Sequence, residues 1–310
     1  MRYFDLHCDT MTECALKNIP LRRNLLHVDL DTVQGWERYV QCYAVWLPDE
    51  LRGEPAWQRF LQVQSAFRKR WRKMRDAPAA ACPRRLGPPG GKRAARSHPD
   101  GGEQRRFRRQ AGAYPGPSAP GRAHVHPHLE RGNRVGTGGA GPGNTGLTGL
   151  GRQAVPLLEE AGILIDLSHA SPELFWDVAK MAHKPLVASH SNAKGVCAHP
   201  RNLEKSQFEA IRNSGGLVGL NFYKAFLNDL PEKACMEDVL RHADYFLSLD
   251  GEDTLAMGGD WDGADLPADM PGLSAIPALY ELFLRHYPEA LVEKLFYGNA
   301  ARLFREQELL

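Results

Sequence analysis

Short apolar runs alternate with helical stretches from residue 145 to the C-terminus, and a chain patterned in this way builds repeated parallel βα units. Residues 152–161 read as a helix closed by Gly162. Ile163-Leu164-Ile165-Asp166-Leu167 reads as a buried strand that ends in Ser168-His169. Ser171-Pro172-Glu173 then offers an N-cap, a proline at the first helical position and an acidic first turn. Pro185-Leu186-Val187-Ala188 is the next strand and ends in Ser189-His190. A helix at 207–213, a strand at 216–222, a helix at 236–249 and a strand at 255–260 follow, and helices around 276–283 and 288–304 close the chain. Near the start, 3–8 and 38–47 read as strands and 57–74 as a helix. No glycine-rich phosphate loop follows the first strand, which favours a closed barrel over a dinucleotide-binding sheet.

The middle of the chain breaks this pattern. From 78 to 143 Arg, Gly, Pro, Ala and His dominate, isoleucine is missing, and valine occurs only at Val125 and Val135. At face value the segment is a basic disordered linker. A structureless stretch of that length is foreign to a compact domain. The length of 310 residues otherwise suits one barrel spanning 1–310.

Bulk charge excludes whole classes of function. Lys plus Arg number 39 and Asp plus Glu 37, a net charge of +2, so the chain is no strongly basic nucleic-acid binder. The Arg105–Arg109 cluster reads as a by-product of the anomalous segment rather than an RNA-binding arm. No run is long and apolar enough to span a membrane, and the first residues carry no secretion signal. The six cysteines show no CxxC spacing, which points to a reducing cytoplasm.

The strand ends carry the chemistry. In barrels of this type the active site gathers at the C-terminal ends of the strands. The first strand ends in His7-Cys8-Asp9; residues i and i+2 of a strand point the same way, so His7 and Asp9 can hold one metal side by side. His169, His190 and Asp260 close three further strands. Imidazole and carboxylate donors together suit Zn²⁺ or a similar borderline ion. Cys8 faces the other side of its strand and reads as core.

The segments Phe4-Asp5-Leu6-His7-Cys8-Asp9-Thr10, Ile165-Asp166-Leu167-Ser168-His169, Ser189-His190-Ser191, His199-Pro200-Arg201-Asn202, Asn221-Phe222-Tyr223, Gly259-Asp260-Trp261-Asp262-Gly263 and Tyr297–Phe304 resemble, in order, the successive motifs of the membrane dipeptidase (renal dipeptidase) family of zinc peptidases. The resemblance is loose over 1–76 and close over 145–310. It implies an α/β fold, a TIM-like (β/α)8 barrel of the metal-dependent hydrolase type, with two Zn²⁺ ions, a dipeptide substrate and a homodimer. By motif position, His7 and Asp9 hold one metal and His169 and His190 the other. Asp260 handles the proton, Arg201 pairs with the terminal carboxylate of the dipeptide, and Tyr223 lies near it. No nucleic acid and no membrane is implied as a partner.

The family also carries a glutamate bridging the two metals, inside a Thr-Val-Glu-like strand, and no such strand stands in the chain as written. Shifting the reading by one base restores it. Pro99-Asp100-Gly101-Gly102-Glu103 then permits Leu-Thr-Val-Glu, with the Glu codon overlapping Gly102 and Glu103. The codons for His126-Pro127-His128-Leu129-Glu130 permit Thr-Leu-Thr-Trp-Asn, a second family-like strand. Residues 78–143 thus read as out of frame, with the middle strands of the barrel corrupted. Either the gene sequence holds compensating single-base errors and the native protein is an enzyme, or the gene itself is shifted and the chain is a catalytically inactive barrel. Out-of-frame translation also accounts for the His124-Val125-His126-Pro127-His128 tract better than metal binding does. Asp262 reads as a loop cap, His183 as a surface residue, Arg68–Arg75 as a solvated helix face, and His199 either as a turn residue or as a support for Arg201.

Overall fold

The computed structural model describes residues 1–76, 124–125, 135–136, 138 and 145–309. Seven strands are found among them: β1 (Arg2–Cys8), β2 (Arg38–Tyr43), β3 (His124–Val125), β4 (Leu164–Ile165), β5 (Val187–Ala188), β6 (Leu217–Leu220) and β7 (Leu255–Met257). All their pairings are parallel. The order is β2-β1-β7-β6-β5 in one sheet and β3-β4 in another, and a parallel bridge between Asp166 and Val187 joins the two. Lateral order therefore follows chain order, with the last strand beside the first: Asp5 pairs with Met257. That wrap-around is the signature of a (β/α)8 barrel. The stretch between α2 (Glu54–Asp76) and β3 lies outside the described residues.

The strands are shorter than the apolar runs that form them, because side chains take over the backbone donors at their ends. Beyond β4, the Asp166 carboxylate accepts the backbone N–H groups of Ser168 at 3.1 Å and Ser189 at 3.0 Å, where carbonyls would otherwise serve. One strand appears where the sequence predicts none. His124–Val125 pairs in register with Leu164–Ile165. Ladder pairing needs only N–H and C=O groups, so even the anomalous segment can supply it. Apart from 124–125, 135–136 and 138, that segment lies outside the described residues, and with it the histidine tract beyond Val125 and the Arg105–Arg109 cluster.

Between the strands lie α1 (Thr10–Lys17), α3 (Gly149–Glu160), α4 (Pro172–Met181), α5 (Lys205–Asn213), the short α6 (Lys224–Leu227) and α7 (Met236–Leu247). After β7 come α8 (Ile276–His286), α9 (Glu289–Glu293) and α10 (Asn299–Glu306). Caps form where the sequence places them: Ser171 Oγ accepts the Leu174 N–H at 3.2 Å, and Thr148 Oγ1 accepts that of Gly151 at 3.1 Å. The single helix expected at 288–304 is broken by a π turn at Lys294–Gly298. The wider turn lets adjacent aromatics bury on two sides, Phe296 near Tyr3 and Tyr297 near Phe4. Phe4, Leu6, Leu164, Val187, Leu217 and Ala256, drawn from five strands, pack with Ala300, Ala301, Leu303 and Phe304 of α10. Among the described residues no helix is long and apolar enough to cross a membrane.

Candidate metal centre

The strand ends converge as their sequence predicts. His7 belongs to β1, and His169, His190 and Asp260 follow β4, β5 and β7. His7 Nε2 lies 3.5 Å from Asp9 Oδ2 and 3.6 Å from Asp260 Oδ1. The rings of His7 and His190 stack with centroids 3.9 Å apart, and His190 Nε2 lies 2.9 Å from His169 Nε2. One donor atom each from His7, His190 and Asp260 falls within 4.8 Å of the other two.

Hydrogen bonds set the orientation of these rings. A guanidinium only donates, so Arg201 Nη1, 2.9 Å from His169 Nδ1, makes that nitrogen an acceptor. In neutral rings the His169 proton then sits on Nε2 and points at His190 Nε2. His190 Nδ1 in turn donates to Ser189 Oγ at 2.7 Å. His190 Nε2 is thus an acceptor whose other ring nitrogen is committed, as in a metal-binding imidazole, whereas His169, with Nδ1 on Arg201, would give up its Nε2 proton on holding a metal. Two buried imidazoles and a partly buried carboxylate fit a borderline divalent cation such as zinc.

The electrostatics agree with a cation site. Burial pushes the His7 imidazolium towards losing its proton, but Asp9, Asp260 and Asp166 outweigh it and raise the pKa to about 9. Burial raises the Asp260 carboxyl and the neighbouring Asp9 adds to it, while His7 opposes. The Asp9 and Asp260 carboxylates together favour positive charge at His7.

Asp260 and Asp262 adopt left-handed φ values of 58° and 63°. Such strain persists at non-glycine residues only where neighbours over-determine it. Here Asp260 N–H donates to the His7 carbonyl at 3.2 Å, and Asp260 Oδ2 accepts Asn221 Nδ2 at 3.1 Å. The Asp262 carboxylate accepts the Thr10 hydroxyl and, at 2.7 Å, the His27 N–H, so this residue ties its loop to the start of α1 and to the loop at His27 rather than capping its own. Arg201 is buried beside the cluster. Its Nε donates to the Ser168 carbonyl at 3.0 Å, its backbone N–H donates to His199 Nδ1 at 3.2 Å, and its guanidinium sits 5.4 Å from the Phe226 ring. His199 is thus a support for Arg201. Tyr223 packs edge-on against the same Phe226, with its N–H bonded to Asn221 Oδ1, which places it on the Arg201 side of the site.

The structure joins His7, Asp9 and Asp260 on one side and His169, His190 and Arg201 on the other. Among the described residues the donor cluster contains no glutamate. Glu159 is turned away to the backbone N–H groups of His183 and Lys184, both at 2.8 Å, and Glu160 is exposed. Glu103 and Glu130 lie outside the described residues. Cys8 is buried in the apolar core and the His183 side chain is exposed, as the sequence predicts. Sequence reasoning missed Ser189, Asn221 and Asp166, the supports of the donors. Their one signal is position, polar residues within or beside apolar runs that end in a donor.

Residues 134–310 match the family model for membrane dipeptidases, peptidase family M19. The chain belongs to this family. Its members are metal-dependent dipeptidases, and the chain is a hydrolase of that metallo-dipeptidase type. An uncharacterised protein from the pqqA 5′ region of Klebsiella pneumoniae is 37% identical over 201 residues, 60% of this chain and 73% of its own. An uncharacterised dipeptidase of Schizosaccharomyces pombe is 34% identical over 139 residues, 44% of this chain but only 34% of its own length. Among solved structures, the dipeptidase AC superposes with a TM-score of 0.79 at 24% identity, covering 99% of this chain and 98% of its own. A Rhodobacter sphaeroides metallopeptidase liganded with a phosphinate mimic of the dipeptide L-Ala-D-Ala superposes with the same score at 23% identity over 99% of both chains. At these identities the likeness shows the TIM-like barrel.

Proposed function

We propose that the chain is a zinc-dependent dipeptidase, a single barrel over 1–310 that hydrolyses the peptide bond of dipeptides with two zinc ions. The observation that carries this reading is the meeting of His7, His190 and Asp260 donors within 4.8 Å, beside a buried guanidinium. His7 and Asp9 are the residues for one ion, His169 and His190 those for the other. When bound, zinc polarises the scissile carbonyl and acidifies the attacking water.

The chain's own residues do the rest. Asp260 takes the proton of the attacking water and returns it to the leaving amine. The burial and the Asp9 charge that raise its pKa make it a stronger base than a solvated carboxylate. Arg201 grips the terminal carboxylate of the dipeptide through two hydrogen bonds, with Tyr223 beside it. With the clamp in contact with His169, the carboxylate lies close to the scissile bond, which selects substrates with a single residue on the leaving side.

On this reading 78–143 is out of frame as written, and the restored frame supplies the bridging glutamate. The protein works in the cytoplasm as a homodimer, without nucleic acid or membrane. Free thiols at Cys8, Cys14, Cys42, Cys197 and Cys235 accord with a reducing compartment. A second reading, an inactive barrel, is favoured by the lack of a glutamate in the donor cluster among the described residues. The test is a dipeptide panel with zinc counted by elemental analysis. The first reading expects turnover that a chelator abolishes and zinc restores. Two bound zinc ions with no dipeptide cleaved, in frame-restored protein, defeats the substrate assignment. Full activity in the chain as written defeats the second reading.

A further inference from the structure

Asp5 sits two residues before His7 with no exposed surface, between the buried apolar Phe4 and Leu6. Its carboxylate collects donors from every element around it. Oδ1 accepts the His7 backbone N–H at 2.9 Å and Gln41 Nε2 of β2 at 3.1 Å. Oδ2 accepts the Tyr3 hydroxyl at 2.6 Å and the Trp261 indole N–H at 2.9 Å. The Gly259 N–H reaches both oxygens, at 3.3 and 3.1 Å. The donors are not scattered. His7 is itself a candidate ligand, and Gly259 and Trp261 are the residues on either side of Asp260.

We propose that Asp5 is a positioning residue that sets the distance between the His7–Asp9 pair and Asp260, and through that distance the affinity of the centre for its cation. The proposal rests on the metal reading of those three residues. A buried carboxylate kept for stability alone needs only enough donors to satisfy it. This one takes them from both segments whose ends must meet, and it brackets a residue held in a left-handed backbone conformation. Two backbone bonds, Asp260 N–H to the His7 carbonyl and Asp9 N–H to the Trp261 carbonyl at 2.8 Å, and the Thr10 hydroxyl on the Asp262 carboxylate also tie the segments, and Asp5 adds side-chain anchors on both sides of Asp260. An amide in place of the carboxylate keeps one acceptor oxygen and turns its NH₂ towards N–H donors of Gly259 or Trp261. One of these is then left unpaired, and the turn that carries Asp260 loses one of its anchors.

The experiment compares the full-length chain with Asp5→Asn at one fixed pH. Zinc affinity is read by competition with a chromophoric chelator, and the Co²⁺-substituted site by its visible spectrum. The control is Leu279→Ala, a core substitution on α8, which carries no site residue; it loses thermal stability without touching the donors. Asp5→Asn should bind zinc about 10–100-fold more weakly, the range for loss of a group that orients metal ligands, and shift the cobalt bands. Leu279→Ala should leave both unchanged. Where Asp5→Asn does not fold, Trp261→Phe removes a single donor and should weaken zinc several-fold. A variant that folds, melts lower and yet binds zinc within twofold of the parent, with unaltered cobalt bands, overturns the proposal and leaves Asp5 a structural residue. A parent chain that takes up no cation overturns the metal reading itself, and this inference with it.

Discussion

Asp260 shows how one residue is prepared for its task by several neighbours at once. Its backbone is held left-handed, its carboxylate is partly buried, and Asn221 fixes one oxygen while His7 faces the other. On the dipeptidase reading, Asp260→Asn keeps the shape and removes the base. Its kcat should fall about 10²–10⁴-fold with KM little altered, as for loss of a general base, and its melting temperature should stay near that of the parent. Steady-state kinetics on the best dipeptide, with a thermal melt alongside, checks both. His242 makes a prediction of another kind. It is fully buried on α7, its Nδ1 accepts the Ala193 N–H at 3.1 Å, and its Nε2 faces the Leu227 carbonyl at 3.0 Å. It thereby joins the loop after β5 to α6, the segments that carry Arg201 and Tyr223. Burial lowers its pKa from 6.5 to about 4, with the Leu227 carbonyl and Asp238 opposing and Arg241 adding to the shift. The unfolded chain binds the proton first, so the stability due to neutral His242 is whole above pH 6.5. It drains away as pH falls towards 4, by up to about 3 kcal/mol. Urea midpoints at pH 7 and pH 4.5 should therefore converge between parent and His242→Gln as the pH drops. Parallel curves would show that His242 carries no such linkage.

At the scale of elements, the donors were legible in the sequence and their supports were not. His7, Asp9, His169, His190 and Asp260 could be found because each ends an apolar run. A residue such as Asp5 or Asp166, inside such a run, gives no sign of which N–H groups will fold around it. Helix α1 was missed because it starts directly after Asp9 and runs only eight residues before Asn18 ends it at φ 54°. The π turn at Lys294–Gly298 was invisible for a similar reason, since only the packing of Phe296 and Tyr297 calls for it. The glycines of β6 and the β7 loop show the opposite case, where a missing side chain is the information. A Cβ on Gly258 would lie 1.8 Å from the Ser189 carbonyl oxygen, and one on Gly219 would lie 1.9 Å from the same atom. Backbone cannot yield as a flexible side chain can. Gly258→Ala should therefore force β7 away from the end of β5, costing about 3 kcal/mol or more, within the range seen for overpacked cores. It should also weaken zinc binding, because His190 and Asp260 lie just beyond the displaced backbone. Denaturant unfolding and the zinc titration read the two effects separately. A stable Gly258→Ala chain would mean that the strands have slack here.

For the whole molecule, the barrel and the anomalous segment make opposing demands. A parallel barrel closes only if every strand has two neighbours, and an absent strand leaves unpaired N–H and C=O groups along both edges. The described residues supply seven strands in cyclic order, with β1 and β7 joined, and the stretch between β2 and β3 that follows α2 lies outside them. The shifted frame offers what that place requires. It permits Met-Phe over 124–125, where the backbone already pairs with Leu164–Ile165, then Thr-Leu-Thr-Trp-Asn, and it places Leu-Thr-Val-Glu upstream. The written frame offers mainly Arg, Gly and Pro, residue types disfavoured in buried strands. Resequencing the gene across the codons for 70–150 decides which frame the organism uses, and expressing both versions decides what the difference means. The restored chain should melt cooperatively at a higher temperature and bind two zinc ions. The written chain should melt broadly and bind fewer, since among the described residues its donor cluster holds no glutamate. Equal melting curves and equal zinc contents would show that the barrel closes without the restored strands, and that the departure from the family in this segment belongs to the native protein.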